Sequence, residues 1–171
     1  MLSFTQINLH KASQATLLVG RGLEGKKQSI VLMTEPYTAH NKITGMPSGT
    51  RVVYARSQDP KGPPRAGIVS SIDVRLTAMD SWCSRDCAVA LTRVGGRQTI
   101  VVSLYMDINL EVQPEWLVQL MIMINRKKFP VIMGIDSNAH SSMYGFNNNP
   151  RGNAFEAVSY THLTLPTTPY V

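Results

Sequence analysis

The sequence lacks the features that would place it in a membrane, outside the cell or around a structural zinc ion. No apolar run approaches the roughly 20 residues of a transmembrane helix. No basic region followed by an apolar stretch, as in a secretory signal, precedes the first strand-like segment. Only two cysteines occur, Cys83 and Cys87, without a second pair or nearby histidines, so the usual zinc ligand sets are excluded. We expect an intracellular chain with two reduced thiols, a local disulfide being the alternative.

The composition is that of one globular domain with a basic surface. The 171 residues are 43% hydrophobic and 16% charged, which is enough apolar material for one core. The formal net charge of +6 favours a polyanionic partner such as nucleic acid, although the Lys and Arg residues are scattered along the chain.

The last segment differs from the rest. Residues 159–171 contain no Asp, Glu, Lys or Arg, but two prolines and four threonines, and resemble translated adapter or vector sequence. We therefore predict a domain over residues 1–157 and a non-native tail, outside the fold, over 158–171. The alternative is an edge strand at residues 160–165.

Periodicity predicts strands and one helix in the first part of the chain. Strands are expected at residues 3–8 and 29–34, and the unbroken apolar run of the second is typical of a strand buried on both faces. Pro36 should end it by forcing extended geometry on Glu35 at its tip. Between them the spacing predicts a helix with Ser13 as its cap and Gly25 as its stop; its apolar face is Ala12, Ala15, Val19 and Leu23.

The later part of the chain predicts short strands, a long loop and a second helix. Residues 38–64 are rich in Gly, Pro, Ser and Asn, so a surface loop with a brief strand at 52–55 is expected. A tight turn is predicted at Gly95 and Gly96, and an amphipathic helix whose apolar face is Leu117, Leu120, Met121 and Ile124. Further strands are predicted at residues 66–70, 72–76, 87–94, 99–104 and 131–135.

Three of these strands open into loops that carry polar side chains suited to phosphodiester hydrolysis. Asn8, Glu35 and Asp136 each follow an apolar strand, so the three strand ends could converge on one cation. Mg²⁺ prefers oxygen ligands and commonly uses one or two carboxylates, which makes Glu35 the best metal ligand. Asp136 could orient and deprotonate a water, and Asn8 and Asn138 offer neutral amides. Taken singly, each has a structural explanation: a turn former, a solvated charge or an ordinary turn.

In their order along the chain, four segments resemble the endonuclease/exonuclease/phosphatase superfamily, and within it the endonucleases of non-LTR retrotransposons. The segments are Gln6-Ile7-Asn8-Leu9-His10-Lys11, Glu35-Pro36-Tyr37, Ser103-Leu104-Tyr105 and Asp136-Ser137-Asn138-Ala139-His140. The resemblance implies an α/β fold, a four-layered α/β sandwich of the DNase I-like type, incomplete at its C-terminal end. It also implies a DNA-nicking activity that uses Mg²⁺ or Mn²⁺, with a reverse transcriptase domain in the full-length parent.

By the same resemblance, Asn8 and Glu35 form the metal site, Tyr105 contacts phosphate, and Asp136 with Asn138 activates water. For Tyr105 the alternative is a half-buried aromatic with its hydroxyl in water. Substrate contact is assigned to Tyr37, His140 and Arg65. A satisfied loop histidine is the alternative for His140, and solvated loop charge is the preferred alternative for Arg65 and nearby Lys61.

The sequence departs from this family in three places. Thr34 stands where the retrotransposon branch often has glutamine, and Tyr144 where it often has tryptophan. The later aspartate and Ser-Asp-His motif of the family have no counterpart, since the only downstream histidine, His162, lies in the tail. We therefore expect a truncated domain with little or no turnover alone.

Three functions stay open at this point. The first is a retrotransposon-type endonuclease fragment, acting in the nucleus on genomic DNA. The second is a phosphodiesterase or phosphatase of the same fold that acts on a lipid or small phosphoester. The third is a non-catalytic nucleic-acid-binding remnant. Fold alone does not separate them.

Overall fold

Two four-stranded sheets carry the site. The computed structural model describes residues 2–56, 62–109, 115–139 and 149–153. His140 and Lys61, as well as Tyr144 and the predicted tail, therefore lie outside the described residues, and the domain boundary stays a prediction. The elements are β1 (Ser3–Asn8), α1 (Ser13–Leu23), β2 (Ser29–Thr34), β3 (Thr38–Ala39), β4 (Lys42–Ile43), β5 (Arg51–Val53), β6 (Ala66–Ser70), β7 (Thr77–Ala78), a 3₁₀ turn (Asp80–Trp82), β8 (Cys87–Val94), β9 (Arg97–Tyr105), α2 (Glu115–Lys127) and β10 (Val131–Asp136).

Each sheet contains one parallel pair at its edge. The strand order is β1-β2-β6-β5 in the first sheet and β10-β9-β8-β7 in the second. Strands β1 and β2 run parallel with Asn8 opposite Thr34, and β9 and β10 run parallel with Tyr105 opposite Asp136. The other pairs are antiparallel. Because parallel strands end on the same side, the two carboxyl ends of each parallel pair are neighbours at one end of the sheet.

The elements stack in four layers, which confirms the predicted α/β sandwich. Strand β2 shows why: Ile30 and Leu32 face the second sheet, while Val31 and Met33 face α1, so all six residues of the strand are buried. Strand β9 does the same in the second sheet, with Val101 facing inward and alternate residues packing on α2. The α2 residues of that outer cluster are Leu117, Leu120, Met121 and Ile124, as predicted.

Two predicted elements are wrong in detail. Residues 72–76 form a turn, not a strand: the Val74 N–H donates to the Ser71 carbonyl, and Ser70 Oγ donates to the Val74 carbonyl. Val74 and Leu76 are still buried, because a turn that packs on the core can show the same alternation of apolar and polar residues as a strand. Ser13 is the first residue of α1, and Ala12, whose methyl group cannot form a hydrogen bond, takes the N-cap position; its N–H donates to the Leu9 carbonyl at 2.8 Å.

Other local predictions hold, and the structure adds short strands that were not predicted. Gly95 and Gly96 have φ values of 55° and 80°, as the tight β8–β9 turn requires. Cys83 and Cys87 are free thiols, as predicted, and burial raises the pKa of both. The segment predicted as one loop with one brief strand also contains the short β3–β4 hairpin. Within the described residues, no helix is long and apolar enough to cross a membrane.

Candidate active site

The Asn8 side chain lies between two carboxylates. Its Nδ2 is 2.6 Å from Asp136 Oδ2 and 3.3 Å from Glu35 Oε2, while its Oδ1 accepts the His10 backbone N–H at 2.8 Å. These contacts join residues that are up to 128 positions apart in the chain. The three strand ends named from the sequence therefore meet, whereas the chemical role of each stays a prediction.

Close approach of the two sheets brings these ends together. Asn8 and Glu35 belong to the first sheet and Asp136 to the second. At Gly134, a Cβ atom would lie 2.7 Å from Leu32 Cδ1 across the gap, so a larger residue would require Leu32 to shift. Beside it, Gln6 Nε2 donates across the same gap to the Ile135 carbonyl at 2.8 Å. Gly134, two residues before Asp136, therefore lies at a close approach of the two sheets.

Glu35 is held at the tip of β2 in an uncommon backbone conformation. Its φ is 47°, in the left-handed region, so the expected extended geometry before Pro36 is wrong. Two backbone bonds impose it: the Glu35 N–H donates to the Arg65 carbonyl, and the Glu35 carbonyl accepts from the Lys11 N–H, both at 2.7 Å. Such conformations persist where the surroundings over-determine them, and they concentrate at functional sites.

The charge of this cluster suits a hard divalent cation. Two carboxylates share one amide donor, and the nearby cations are exposed: Lys11 Nζ lies 3.5 Å from Glu35 Oε1, with its side chain 69% exposed. Among the described residues, no group of three or more His, Cys, Asp or Glu side chains is arranged to hold a metal. One or two carboxylates match Mg²⁺, which keeps several of its waters. Glu35 therefore fits this ion as a candidate ligand, whereas Asn8 turns its Nδ2 toward the carboxylates and its Oδ1 toward the His10 N–H, so its part in a metal site stays a prediction.

Tyr105 and Asn138 complete the same edge. Burial and the charge of Glu35 raise the pKa of the Tyr105 phenol, while the Asn138 side chain and Arg65 oppose this. The phenol therefore remains a proton donor at neutral pH. Asn138 has a left-handed φ of 47°, and its Nδ2 donates to the Met106 carbonyl at 2.9 Å. Its N–H reaches Asp136 Oδ1 at 3.4 Å, so Asn138 also faces that carboxylate.

Arg65 lies beside this group, but it is not a solvated charge. Its side chain is only 11% exposed and bonds to Asp86 and Asp107, and its guanidinium carbon lies 4.6 Å from the centroid of the Tyr105 ring. Burial alone would lower the pKa of Arg65, but the hydrogen bonds to both aspartates outweigh this effect, so the pKa lies above its ordinary value. The alternative of a solvated loop charge is thus wrong, while phosphate contact is not tested by these distances.

Tyr37 follows Glu35 by two residues and stands at the surface. Its side chain is 39% exposed, and its backbone N–H donates to Thr16 Oγ1 of α1 at 2.9 Å. The ring is therefore available to a ligand near the carboxylates, and substrate contact stays a prediction.

Sequence reasoning missed several side chains around the site. Thr34, named from the sequence only as a departure from the family pattern, is buried, and its Oγ1 lies 3.4 Å from Asp136 Oδ2. Arg151 joins two loops, because its Nε donates to the Ser137 carbonyl at 3.0 Å and its Nη2 to the Asp107 carbonyl at 2.8 Å. The position of Thr34 before Glu35 was a usable signal, whereas nothing local marks Arg151.

This arrangement of sheets and strand ends is the DNase I-like fold of the endonuclease/exonuclease/phosphatase proteins. It is similar to a protein of that family from Leptotrichia buccalis, with a TM-score of 0.56 and 12% identity, covering 94% of this chain and 72% of that one. Beta toxin from Staphylococcus aureus is similar at a TM-score of 0.55 and 12% identity, covering 92% and 70%. No family model matches the sequence.

The likeness is greater for a retrotransposon enzyme. The endonuclease domain of TRAS1, a telomere-specific non-LTR retrotransposon, matches with a TM-score of 0.69 and 21% identity over 91% of this chain and 68% of that domain. The 115 kDa protein of the type-1 retrotransposable element R1DM of Drosophila melanogaster is 25% identical over 145 residues, which cover 84% of this chain and 14% of that protein. The resemblance found in the sequence is confirmed at the level of fold.

Proposed function

We propose that this chain is part of a Mg²⁺- or Mn²⁺-dependent endonuclease that nicks DNA for a non-LTR retrotransposon. The observation that carries the proposal is the Asn8 amide between the carboxylates of Glu35 and Asp136. It is supported by the likeness to the TRAS1 endonuclease domain and to the R1DM protein. The net charge of +6 suits a polyanionic substrate.

Each side chain has a distinct task in this proposal. Glu35 and Asn8 would hold a divalent cation, which would supply charge neutralisation at the phosphate. Asp136 accepts a proton from the attacking water, and its contact with Asn8 Nδ2 keeps one carboxylate oxygen oriented. The Tyr105 hydroxyl donates a hydrogen bond to a non-bridging phosphate oxygen. Asn138 orients both Asp136 and Tyr105 through hydrogen bonds. Tyr37 contacts the neighbouring nucleotide.

The parent protein in this proposal is longer and acts on genomic DNA in the nucleus. The chain spans 14% of the length of the R1DM protein, and we propose that a reverse transcriptase domain belongs to the same polypeptide. Since the sequence contains no Ser-Asp-His motif, we propose that the fragment alone binds metal and DNA but turns over slowly or not at all.

The first prediction concerns the two carboxylates. We expect a chain extended through the rest of the domain to convert supercoiled plasmid to the nicked form with Mg²⁺ and not with EDTA. Glu35→Ala or Asp136→Ala should lower the rate at least 100-fold, because each removes a group that acts at the reacting phosphate. The exposed Arg93, at the opposite end of β8, provides the control Arg93→Gln, which should nick normally.

The same assay separates the other two functions. Cleavage of sphingomyelin or inositol phosphates without plasmid nicking would favour a lipid or small-phosphoester enzyme. Salt-sensitive DNA retention by the extended chain without any cleavage would favour a binding remnant. Undiminished nicking by either carboxylate variant would contradict the proposed site.

A further inference from the structure

We propose that Arg65 is a positioning residue that fixes the Tyr105 ring and joins it to Glu35, and that it does not bind DNA phosphate. The inference rests on the proposed function in one respect only, namely that Tyr105 contacts phosphate. The placement of the ring is independent of any activity.

The first argument is the local charge. The Arg65 Nε and Nη2 atoms donate to the two carboxylate oxygens of Asp86 at 2.5 and 2.7 Å, and Nη1 donates to Asp107 Oδ2 at 2.6 Å. The group thus holds one positive and two negative charges, so it has no positive charge in excess to attract a phosphate. The guanidinium is also largely covered, with the side chain 11% exposed.

The second argument is the fixed plane above Tyr105. A guanidinium bound at both edges by carboxylates cannot rotate, and its carbon lies 4.6 Å from the ring centroid, within the range of a cation–π contact. Asp86 serves both partners, because its carbonyl also accepts the Tyr105 backbone N–H at 2.9 Å. The paired residues Arg65 and Asp86 therefore hold the ring and the backbone of Tyr105, respectively.

The third argument is the link to the candidate metal ligand. The Arg65 carbonyl accepts the Glu35 N–H at 2.7 Å, one of the two bonds that hold Glu35 in its left-handed conformation. Arg65 thus connects a residue of the first sheet through its backbone with a residue of the second sheet through its side chain. Lysine could keep the charge but not the two-edged bonding or the flat contact with the ring.

The experiment uses the chain itself with ¹³C-labelled tyrosine, whose Tyr105 signals are assigned by comparison with Tyr105→Phe. In Arg65→Lys and Arg65→Gln we expect shifted Tyr105 ring signals, and in Arg65→Gln a higher pKa of the phenol, because the Arg65 charge lowers it. The logarithmic salt slope of DNA retention should stay unchanged. Arg93→Gln, an exposed control, should leave the Tyr105 signals in place.

A direct phosphate contact gives the opposite result. The salt slope would then fall by about 1 in Arg65→Gln, and the Tyr105 signals would stay where they are in Arg65→Lys. Either outcome overturns the inference. Circular dichroism checks that each variant is folded, and if the glutamine variant is not, the lysine variant decides. Since neither readout needs turnover, a chain that never nicks DNA still tests the role of Arg65.

Discussion

At the scale of single residues, Asn8 is the side chain on which the site depends. One neutral amide satisfies two carboxylates with its Nδ2 and the His10 backbone with its Oδ1. An amide is suited to this position because it brings a donor and an acceptor together without adding charge. Any replacement changes either the hydrogen bonds or the electrostatic balance between Glu35 and Asp136.

The second prediction follows from that balance. Asn8→Asp places a third carboxylate beside Glu35 and Asp136, so we expect the free energy of unfolding without metal to fall by about 1–3 kcal/mol. Added Mg²⁺ should raise the thermal midpoint of this variant more than that of the native chain, because it binds the folded state with one more charged ligand. Asn8→Ala is the control. A Mg²⁺ shift in Asn8→Asp no larger than in Asn8→Ala would argue against a cation at this position.

The third prediction concerns Asp107 and pH. The Asn109 backbone N–H and then Arg65 hold the pKa of Asp107 below its usual value. A carboxyl with a lowered folded-state pKa stabilises the fold above its unfolded value and loses that contribution as pH falls through the folded one. The stability difference between the native chain and Asp107→Asn should therefore be constant at neutral pH and shrink below about pH 4.

Urea unfolding between pH 3 and pH 7 measures this difference for Asp107. The exposed Asp73 provides the control Asp73→Asn, whose stability should follow the native chain. A difference that stayed constant down to the lowest pH would show that the paired carboxylate contributes nothing of this kind.

At the scale of elements, the long strands and both helices were predictable because their signals are local. Apolar periodicity in β2 or α2 reports burial of that segment whatever its partners are. β7 was missed because Thr77 and Ala78 are a strand only through pairing with β8, and residues 72–76 imitated a strand from within a turn. The bounds of elements that depend on distant pairing partners cannot be predicted from the local sequence pattern.

The fourth prediction contrasts two glycines of α1. A Cβ on Gly20 would lie 2.6 Å from the Gly45 carbonyl oxygen and 2.8 Å from Pro47 Cδ, whereas Gly22 faces open space. Gly20→Ala should therefore lower the free energy of unfolding by about 1–3 kcal/mol. Gly22→Ala should raise it by up to about 1 kcal/mol, since alanine favours the helix. Urea denaturation of both variants measures the pair, and equal effects would mean that α1 does not pack on the loop of Gly45.

At the scale of the whole molecule, the candidate site was predictable only in part. The strand ends at Asn8, Glu35 and Asp136 carry recognisable residues in a recognisable order, so their meeting could be expected. The bonds of Arg65 to Asp86 and Asp107 join residues 21 and 42 positions apart. Such contacts exist only once both sheets are folded, and single-sequence patterns do not contain them.

The fifth prediction tests the spacing of the sheets. Gly134→Ala places a methyl group 2.7 Å from Leu32 Cδ1 and 3.1 Å from Leu32 Cβ, so Leu32 or the sheet that carries it must shift next to Asp136. We expect a loss of about 1–3 kcal/mol in the free energy of unfolding, as for other overpacked sites. In an extended chain that nicks plasmid, the rate should fall further than this stability loss explains, because Asp136 moves away from Asn8.

The matched control is Gly22→Ala, which should keep full nicking. A Gly134→Ala variant with native stability and native rate would show that the gap between the sheets can widen without consequence for the site.

The division of the site between two sheets has an evolutionary consequence. Glu35 sits at the end of one sheet and Asp136 at the end of the other, and apolar side chains such as Leu32 and Val101 fill much of the space between the sheets. Exchanges among valine, leucine and isoleucine in that filling would change turnover while leaving every polar group intact. Under the proposed function, related copies could differ in rate without any change in their polar site residues, and substitutions in the interior alone would be enough to adjust that rate.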